Sequence, residues 1–285
     1  VSLQYLKVSS IEEILRHIDE PGSRILCGGT DLLVKMRSGL ISPQRLLDIS
    51  EVEALRTIEE EGEWVTIGAA VTEGEILSSR IVIERLPLLA TVILHLGSVQ
   101  IRNRGTLGGN LVNASPAADS AIPLLLYDAE VILESARGER RMSVEDFLRG
   151  PGRTALEEGE FLRTILIPIP KEELTPFFHK VGRRKALTIA IASLGALLRM
   201  KNGVIEEVRL AAGSVAPTPI RLHRVEERLA GSELCDSAIA SARELASQSV
   251  SPIDDIRASA DYRRQVIADL VARFLRNALT GSSRG

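Results

Sequence analysis

IRNRGTLGGNLVNASPAAD, residues 101–119, is the stretch on which the reading of the chain turns. It sets Gly105, Gly108 and Gly109 beside Thr106, Asn110, Asn113 and Ser115, then reaches Ser115-Pro116 and Asp119. Glycine lets a backbone turn sharply and approach a ligand closely, while Thr, Asn and Ser place short donors and acceptors at the same point. Ser115 followed by Pro116 reads as a helix N-cap with proline at the first helical position, and Ala121, Ile122, Leu124, Leu125 and Leu126 then continue as a buried helix. The stretch is therefore expected to form a glycine loop close to a helix N-terminus, a geometry that suits a phosphate. A glycine-rich turn in any α+β protein is the other reading of the same residues.

A second glycine stretch lies upstream. Residues 24–27, RILC, read as a short buried strand; Gly28, Gly29, Thr30 and Asp31 follow, and Leu32, Leu33, Met36 and Leu40 then recur at helical spacing. Two such loops can clamp the two phosphates of one dinucleotide. Neither has the G-x-G-x-x-G spacing, so a nicotinamide-binding Rossmann fold is disfavoured.

Composition narrows the classes. A chain of 285 residues is long enough for one large core or two to three subdomains. Its 45% hydrophobic and 26% charged residues fit a folded globular protein, and a net charge of −3 gives no footprint for nucleic acid. No apolar run approaches a membrane span, and no basic segment followed by an apolar one marks a secretory leader. Two cysteines, Cys27 and Cys235, are too few for an iron–sulfur cluster, and a disulfide between them is not expected in a cytoplasmic chain. His17, His95, His179 and His223 lack metal spacing. With no Ser-His-Asp or Cys-His arrangement either, no catalytic residue and no metal site are expected, which favours a chain that holds a cofactor.

The segments CGGTDLL (27–33) and QIRNRGTLGGNLVNASPAAD (100–119) together resemble the FAD-binding subunits of molybdenum-containing hydroxylases. That family includes the medium subunit of aerobic carbon monoxide dehydrogenase, the flavin domain of xanthine dehydrogenase and the flavin subunit of 4-hydroxybenzoyl-CoA reductase. The resemblance covers nearly the whole chain, and TLGGN with an Asp nine residues after Asn110 is its most specific part. It implies an α+β FAD-binding fold of the PCMH (vanillyl-alcohol oxidase-like) type. A small N-terminal α/β unit would span 1–50, a middle antiparallel-sheet unit 51–170, and a C-terminal unit of a three-stranded antiparallel sheet and helices 171–285.

The same resemblance implies roles for individual residues. Ile25, Leu26, Cys27, Gly28, Gly29, Thr30, Asp31 and Leu32 would wrap the FAD pyrophosphate. Thr106, Gly108, Gly109 and Asn110 would form the second pyrophosphate and ribityl clamp, with Asn113 at a matching polar position. Asp119 would take a ribose or adenine-side hydroxyl, and Leu96 and Leu162 would approach the flavin. Taken alone, Asp31 reads as the cap of the next helix, Cys27 as packing, Asp119 as a first-turn acid favoured by the helix dipole, and Leu96 and Leu162 as core leucines. Arg102 and Arg104 could meet phosphate, a partner or solvent. The chain departs from some relatives at Thr30-Asp31, where those carry His-Ser, and at Ile191, where those carry a lysine or an aromatic residue. It also lacks the cysteine-rich loop of the 4-hydroxybenzoyl-CoA reductase subunit.

The function implied is electron transfer in a cytoplasmic complex. A large molybdenum-cofactor subunit would oxidise the substrate, a small [2Fe–2S] subunit would relay electrons to FAD on this chain, and NAD or a quinone-type carrier would take them up. The assembly implied is a dimer of heterotrimers. Two alternatives stand beside it: a structural subunit of this fold without FAD, and a stand-alone FAD oxidoreductase of the cell-wall reductase type.

Elsewhere the pattern is local. Ser10 with Glu13 and Thr72 with Glu75 read as capping boxes. Residues 54–58 and 64–68 read as a hairpin about the acidic turn 59–62, and 87–96 as an apolar helix. Strands are expected at 130–134, 140–142, 162–167, 177–181, 189–200 and 204–212, the last two joined by the Asn202-Gly203 turn. Helices are expected from Ser143 and over 225–229, 235–246 and 262–279, with an exposed turn at Arg183-Arg184-Lys185 and a frayed tail from 280.

Overall fold

Side-chain caps begin several of the helices, those opening at Ile11, Glu73 and Leu107 among them. In the computed structural model, which describes residues 3–184 and 188–281, the Thr72 hydroxyl accepts from the Glu75 amide while the Glu75 carboxylate accepts from the Thr72 amide. Ser10 likewise accepts from the Glu13 amide, but the Glu13 carboxylate turns to the amide of Ser9 instead of that of Ser10. Such caps satisfy amides that a helix leaves unpaired.

In chain order the elements are β1 (Gln4–Lys7), α1 (Ile11–His17), β2 (Ser23–Leu26), α2 (Leu32–Arg37), β3 (Arg45–Asp48), β4 (Ile58–Glu61), β5 (Trp64–Gly68), α3 (Glu73–Ser78), α4 (Arg80–Arg85), α5 (Pro87–Leu94), α6 (Val99–Arg102), α7 (Leu107–Asn113) and α8 (Ala121–Leu126). There follow β6 (Glu130–Ser135), β7 (Gly138–Ser143), α9 (Val144–Phe147), β8 (Leu148–Gly150), β9 (Arg153–Thr154), β10 (Phe161–Pro168), β11 (Thr175–Val181), β12 (Ala192–Lys201), β13 (Val204–Gly213), β14 (Ile220–Arg221), α10 (His223–Leu229), α11 (Asp236–Gln248) and α12 (Ala260–Leu279). A short 3-10 turn at Glu53–Leu55 precedes β4.

The chain divides into two compact units. The first comprises Val1–Leu86, Gly97–Ala114 and Asp128–Ile169. It holds a parallel sheet of order β1-β3-β2 and an antiparallel sheet of order β4-β5-β10-β6-β7. Parallel strands need a crossover between them, and α1 and α2 supply it. Val8, Ile14, Leu55 and Phe161 form a buried cluster within this unit. The second unit comprises Pro87–Leu96, Ser115–Tyr127 and Pro170–Gly285. Its antiparallel sheet runs β11-β12-β13-β14. Leu194, Leu210, Ile239, Val271 and Phe274 make up part of its apolar core. Among the described residues no helix is long and apolar enough to cross a membrane.

Several expectations need correction. Gly108 and Gly109 stand in the first turn of a helix, α7, rather than in a loop; Thr106 caps it. No helix starts at Ser115: its hydroxyl accepts from Ala117 N in a local turn, and α8 begins at Ala121. The acidic run Glu59, Glu60, Glu61 is edge strand β4, and the hairpin turns at Gly62. Exposed charges on an edge strand discourage pairing with another chain. The C-terminal sheet has a fourth strand, β14, beside the three expected, and β12 starts at Ala192 rather than 189. Lys185 and residues 282–285, part of the expected turn and tail, lie outside the described residues. The β12–β13 hairpin turns at Asn202 and Gly203, whose φ angles of 51° and 81° meet the demand of a two-residue turn for left-handed backbone.

Candidate functional site

The two glycine stretches come together in the first unit. β2 ends at Leu26, and the chain turns through Cys27 and Gly28 into Gly29, whose φ is +74°. A Cβ placed on Gly28 would lie 1.9 Å from the Arg104 carbonyl oxygen, so the loops touch backbone to backbone. The second loop is fastened in turn to the exit of β5. Leu107 N donates to Val71 O at 3.1 Å, Glu73 N donates to Gly105 O at 2.9 Å, and a Cβ on Gly108 would fall 2.6 Å from Ala69. Glycine is demanded at 28 and 108 by these approaches within the chain, where the sequence had suggested approach to a ligand.

Thr106 is the keystone of the contact. It is buried, its hydroxyl accepts from Gly109 N at 3.0 Å to cap α7, and it meets the thiol of Cys27. Burial pushes the Cys27 thiol above its ordinary titration range, which suits the packing role read for it. Both cysteines are free. Lys35 Nζ donates to Asn113 Oδ1 at 2.5 Å and ties α2 to α7. Asp31 occupies the N-cap position of α2, but its exposed side chain makes no cap hydrogen bond.

Among the described residues, the backbone amides of Gly29 and Thr30 on the first loop and of Gly108 on the second donate to no acceptor. Unpaired amides cost free energy in the absence of water or a ligand, and successive amides of this kind attract anions. Beyond the hydroxyl of Thr106, a Cβ on Gly109 would meet nothing, so this side of α7 is open. A cleft of about 480 Å³ opens beside the loop contact, with Cys27, Gly28, Thr72, Asn103, Arg104 and Thr106 in its wall. The donor set and the open face fit a pyrophosphate-bearing cofactor, so the chemistry of the residues agrees with FAD.

Ile25 belongs to β2 and Leu32 opens α2, while Leu162 is buried in β10 of the same unit. Leu96 and Asp119 belong to the second unit. There Asp119 is buried, with Oδ2 2.6 Å from Lys180 Nζ and Oδ1 accepting from the Ser193 hydroxyl at 3.0 Å. It is not a first-turn acid of α8, because Ser120 intervenes as the N-cap. Lys180 and Ser193 were invisible as its partners, since both are strand residues more than sixty positions away in the chain. Reading the sequence also missed Glu73, a carboxylic acid buried beneath the second loop.

A fold of mixed sheets in which two glycine segments meet backbone to backbone, with amides left without acceptors, is that of a cofactor-holding α+β protein. Residues 1–170 match the FAD binding domain of molybdopterin dehydrogenases, and residues 177–278 match the C-terminal domain of the carbon monoxide dehydrogenase flavoprotein. The glyceraldehyde dehydrogenase medium chain of Sulfolobus acidocaldarius is 33% identical over 270 residues, 94% of this chain and 95% of that one. The xanthine dehydrogenase FAD-binding subunit of Escherichia coli O157:H7 is 33% identical over 267 residues, covering 93% and 91%. Carbon monoxide dehydrogenase from Hydrogenophaga pseudoflava superposes with a TM-score of 0.93 at 31% identity, covering 98% of each chain. The chain therefore belongs to the FAD-binding subunits of the molybdopterin dehydrogenases. It is a medium-type flavin subunit of a multisubunit oxidoreductase, and its work is electron transfer.

Proposed function

We propose that this chain holds FAD by its pyrophosphate on the amides of Gly29, Thr30 and Gly108, with Ile25, Leu26, Cys27, Gly28, Asp31 and Leu32 shaping the first loop. Thr106, Gly109, Asn110 and Asn113 form the second half of the clamp, with Leu162 in the same unit; Leu96 and Asp119, which belong to the second unit, are kept as proposed cofactor-binding residues. The observation that carries this reading is the pair of loops in contact at Gly28, bearing amides without acceptors. Bound FAD supplies a carrier able to take up electrons one at a time and release them as a pair. The residues of this chain bind and orient it; they need not move protons. Thr106 fixes the start of α7, Lys35 holds Asn113, and the Gly28 contact sets the distance between the loops.

The partners we propose are a large molybdenum-cofactor subunit that oxidises the substrate and a small [2Fe–2S] subunit that relays the electrons, in a dimer of heterotrimers in the cytoplasm. NAD or a quinone-type carrier receives the electrons. The three larger sheets fall in 1–50, 51–170 and 171–285, and the two-stranded β8-β9 sheet lies within 51–170, which supports dividing the chain into three subdomains at those boundaries. Visible absorption of the purified chain, followed by heat release of the chromophore, tests the placement. Wild type should release FAD at about one per chain, and Gly109→Leu, whose Cβ would stand 2.8 Å from the capping Thr106 hydroxyl, should release none while losing no more stability than Thr106→Ala. Full FAD occupancy in Gly109→Leu would refute the placement of the clamp.

A further inference from the structure

Glu73 opens α3 directly beneath the second loop, and the residue is 1% exposed. Oε1 accepts from Asn110 Nδ2 at 3.4 Å; Oε2 has no hydrogen-bond partner and lies over Gly105, where a Cβ would stand 3.3 Å from it. A carboxylate without compensation at this depth is costly, and nothing in the packing of the loop requires one. Since Oε2 is closed to solvent, a bound cofactor cannot touch it either. Any effect of Glu73 on the cofactor must pass through Asn110. An Asn side chain presents a donor at one end and an acceptor at the other, and its neighbours decide which end faces outward. While Glu73 accepts from Nδ2, the acceptor Oδ1 is the end left for a ligand.

We propose that Glu73 is a positioning residue for FAD: it sets, through Asn110, which end of that amide is presented to the cofactor. The inference rests on the reading that Asn110 belongs to the clamp. Ionised Glu73 accepts from Nδ2 and turns Oδ1 outward, toward a donating hydroxyl such as those of a ribityl chain. Protonated Glu73 donates to Oδ1, the amide turns over, and Nδ2 faces outward, toward an acceptor such as a phosphate oxygen. The exchange falls within reach of ordinary pH, because burial raises the Glu73 carboxyl to about 7. The charged groups that act on it are Arg102, which opposes the rise, and Asp31, which adds to it. FAD affinity is thereby tied to pH through a group that does not touch FAD.

The test uses the full chain with and without FAD. In the apo protein, the Asn110 side-chain amide resonances should titrate with a midpoint near 7, and this titration should vanish in Glu73→Gln. Titration of the apo chain with FAD, followed by flavin fluorescence, should give a dissociation constant that changes by about threefold or more from about pH 5.5 to about pH 8.5, and a flat profile over that range in Glu73→Gln. Asn110 resonances of the wild type that do not move across this range would overturn the proposal without recourse to any variant. So would a Glu73→Gln profile that keeps the wild-type slope. Asn110→Ala separates the two levels of the argument: unchanged FAD affinity in that variant would remove the clamp reading itself. Weakened affinity there, beside a Glu73→Gln profile with the wild-type slope, would remove only the role of Glu73.

Discussion

Replacing Gly28 by Ala adds one methyl group at the place where the two loops meet. Its Cβ would stand 1.9 Å from the Arg104 carbonyl oxygen and 2.7 Å from the carbonyl carbon, both backbone atoms that cannot rotate away. Restoring ordinary contact, about 3.4 Å, requires the loops to part by roughly 1.5 Å. Overpacking of this kind costs about 1–3 kcal/mol, and a collision with backbone on both sides belongs at the upper end. The same displacement exceeds the spread of N–H···O distances that still count as hydrogen bonds, so the amides of Gly29 and Thr30 can no longer work together with that of Gly108. Losing two hydrogen bonds to a charged group, each worth about 1.5–3 kcal/mol, weakens FAD binding by at least about a hundredfold. Urea unfolding of the apo chain measures the first effect and fluorescence titration with FAD the second. Gly39→Ala is the control: its φ of +74° brings backbone strain, but a Cβ there meets nothing within 4 Å. It should cost about 1 kcal/mol and leave FAD affinity intact. A Gly28→Ala chain with the urea midpoint and FAD affinity of the wild type would refute the reasoning.

Thr106→Ala removes the cap of α7 and the partner of the Cys27 thiol, and should lower stability by about 1–2 kcal/mol in urea unfolding. Glu73 titrates near 4.5 when unfolded and near 7 when folded, so its ionisation opposes folding. Stability should fall by up to about 3 kcal/mol as pH rises from below 4.5 through 7, then level off; Glu73→Gln should remove this slope in urea melts at several pH values. In the second unit, Glu226 accepts from Leu210 N and forms a two-pronged pair with Arg221, both side chains close to nine-tenths buried. Glu226→Ala takes the carboxylate from that buried arginine, which keeps its bond to the Leu125 carbonyl, and should cost about 3–5 kcal/mol, measured by thermal or urea unfolding, whereas a double replacement of both partners by apolar residues should cost less.

What could be read from the sequence was what local chemistry decides. The Thr72 capping box, the Asn202-Gly203 turn and the Ser143 cap involve partners three residues apart or fewer, and the structure bears them out. The resemblance carried the family and the cofactor, because the two glycine motifs are contiguous in sequence. Helix α7 was missed because two glycines in seven residues argue against a helix, while the cap at Thr106 and the seat of Gly108 under Ala69 override that propensity. Ser115-Pro116 misled in the opposite direction: a good N-cap pair stands where the Ala114 φ of 46° has just ended one helix and Ala121 begins the next. Long-range pairings left no mark. Nothing near Asp119 announces Lys180, and an acid in the first turn of a capped helix, as Glu73 is, looks like any solvated one until a loop closes over it.

The second unit is threaded from three separate pieces of chain. Its helices α5 and α8 emerge early from the ribosome, yet α5 rests on β11 and α8 on β12 and β13. Translation at about 5–20 residues per second leaves these two apolar helices waiting several seconds for the strands that cover them. During that interval Leu89, Ile93, Leu124 and Leu126, all fully buried in the finished fold, are open to any neighbouring nascent chain. Synthesis of this subunit thus carries a window of aggregation risk that closes only when the β12–β13 hairpin has left the exit tunnel, and the first unit, interrupted in sequence by the same two segments, is likewise assembled from three pieces of chain.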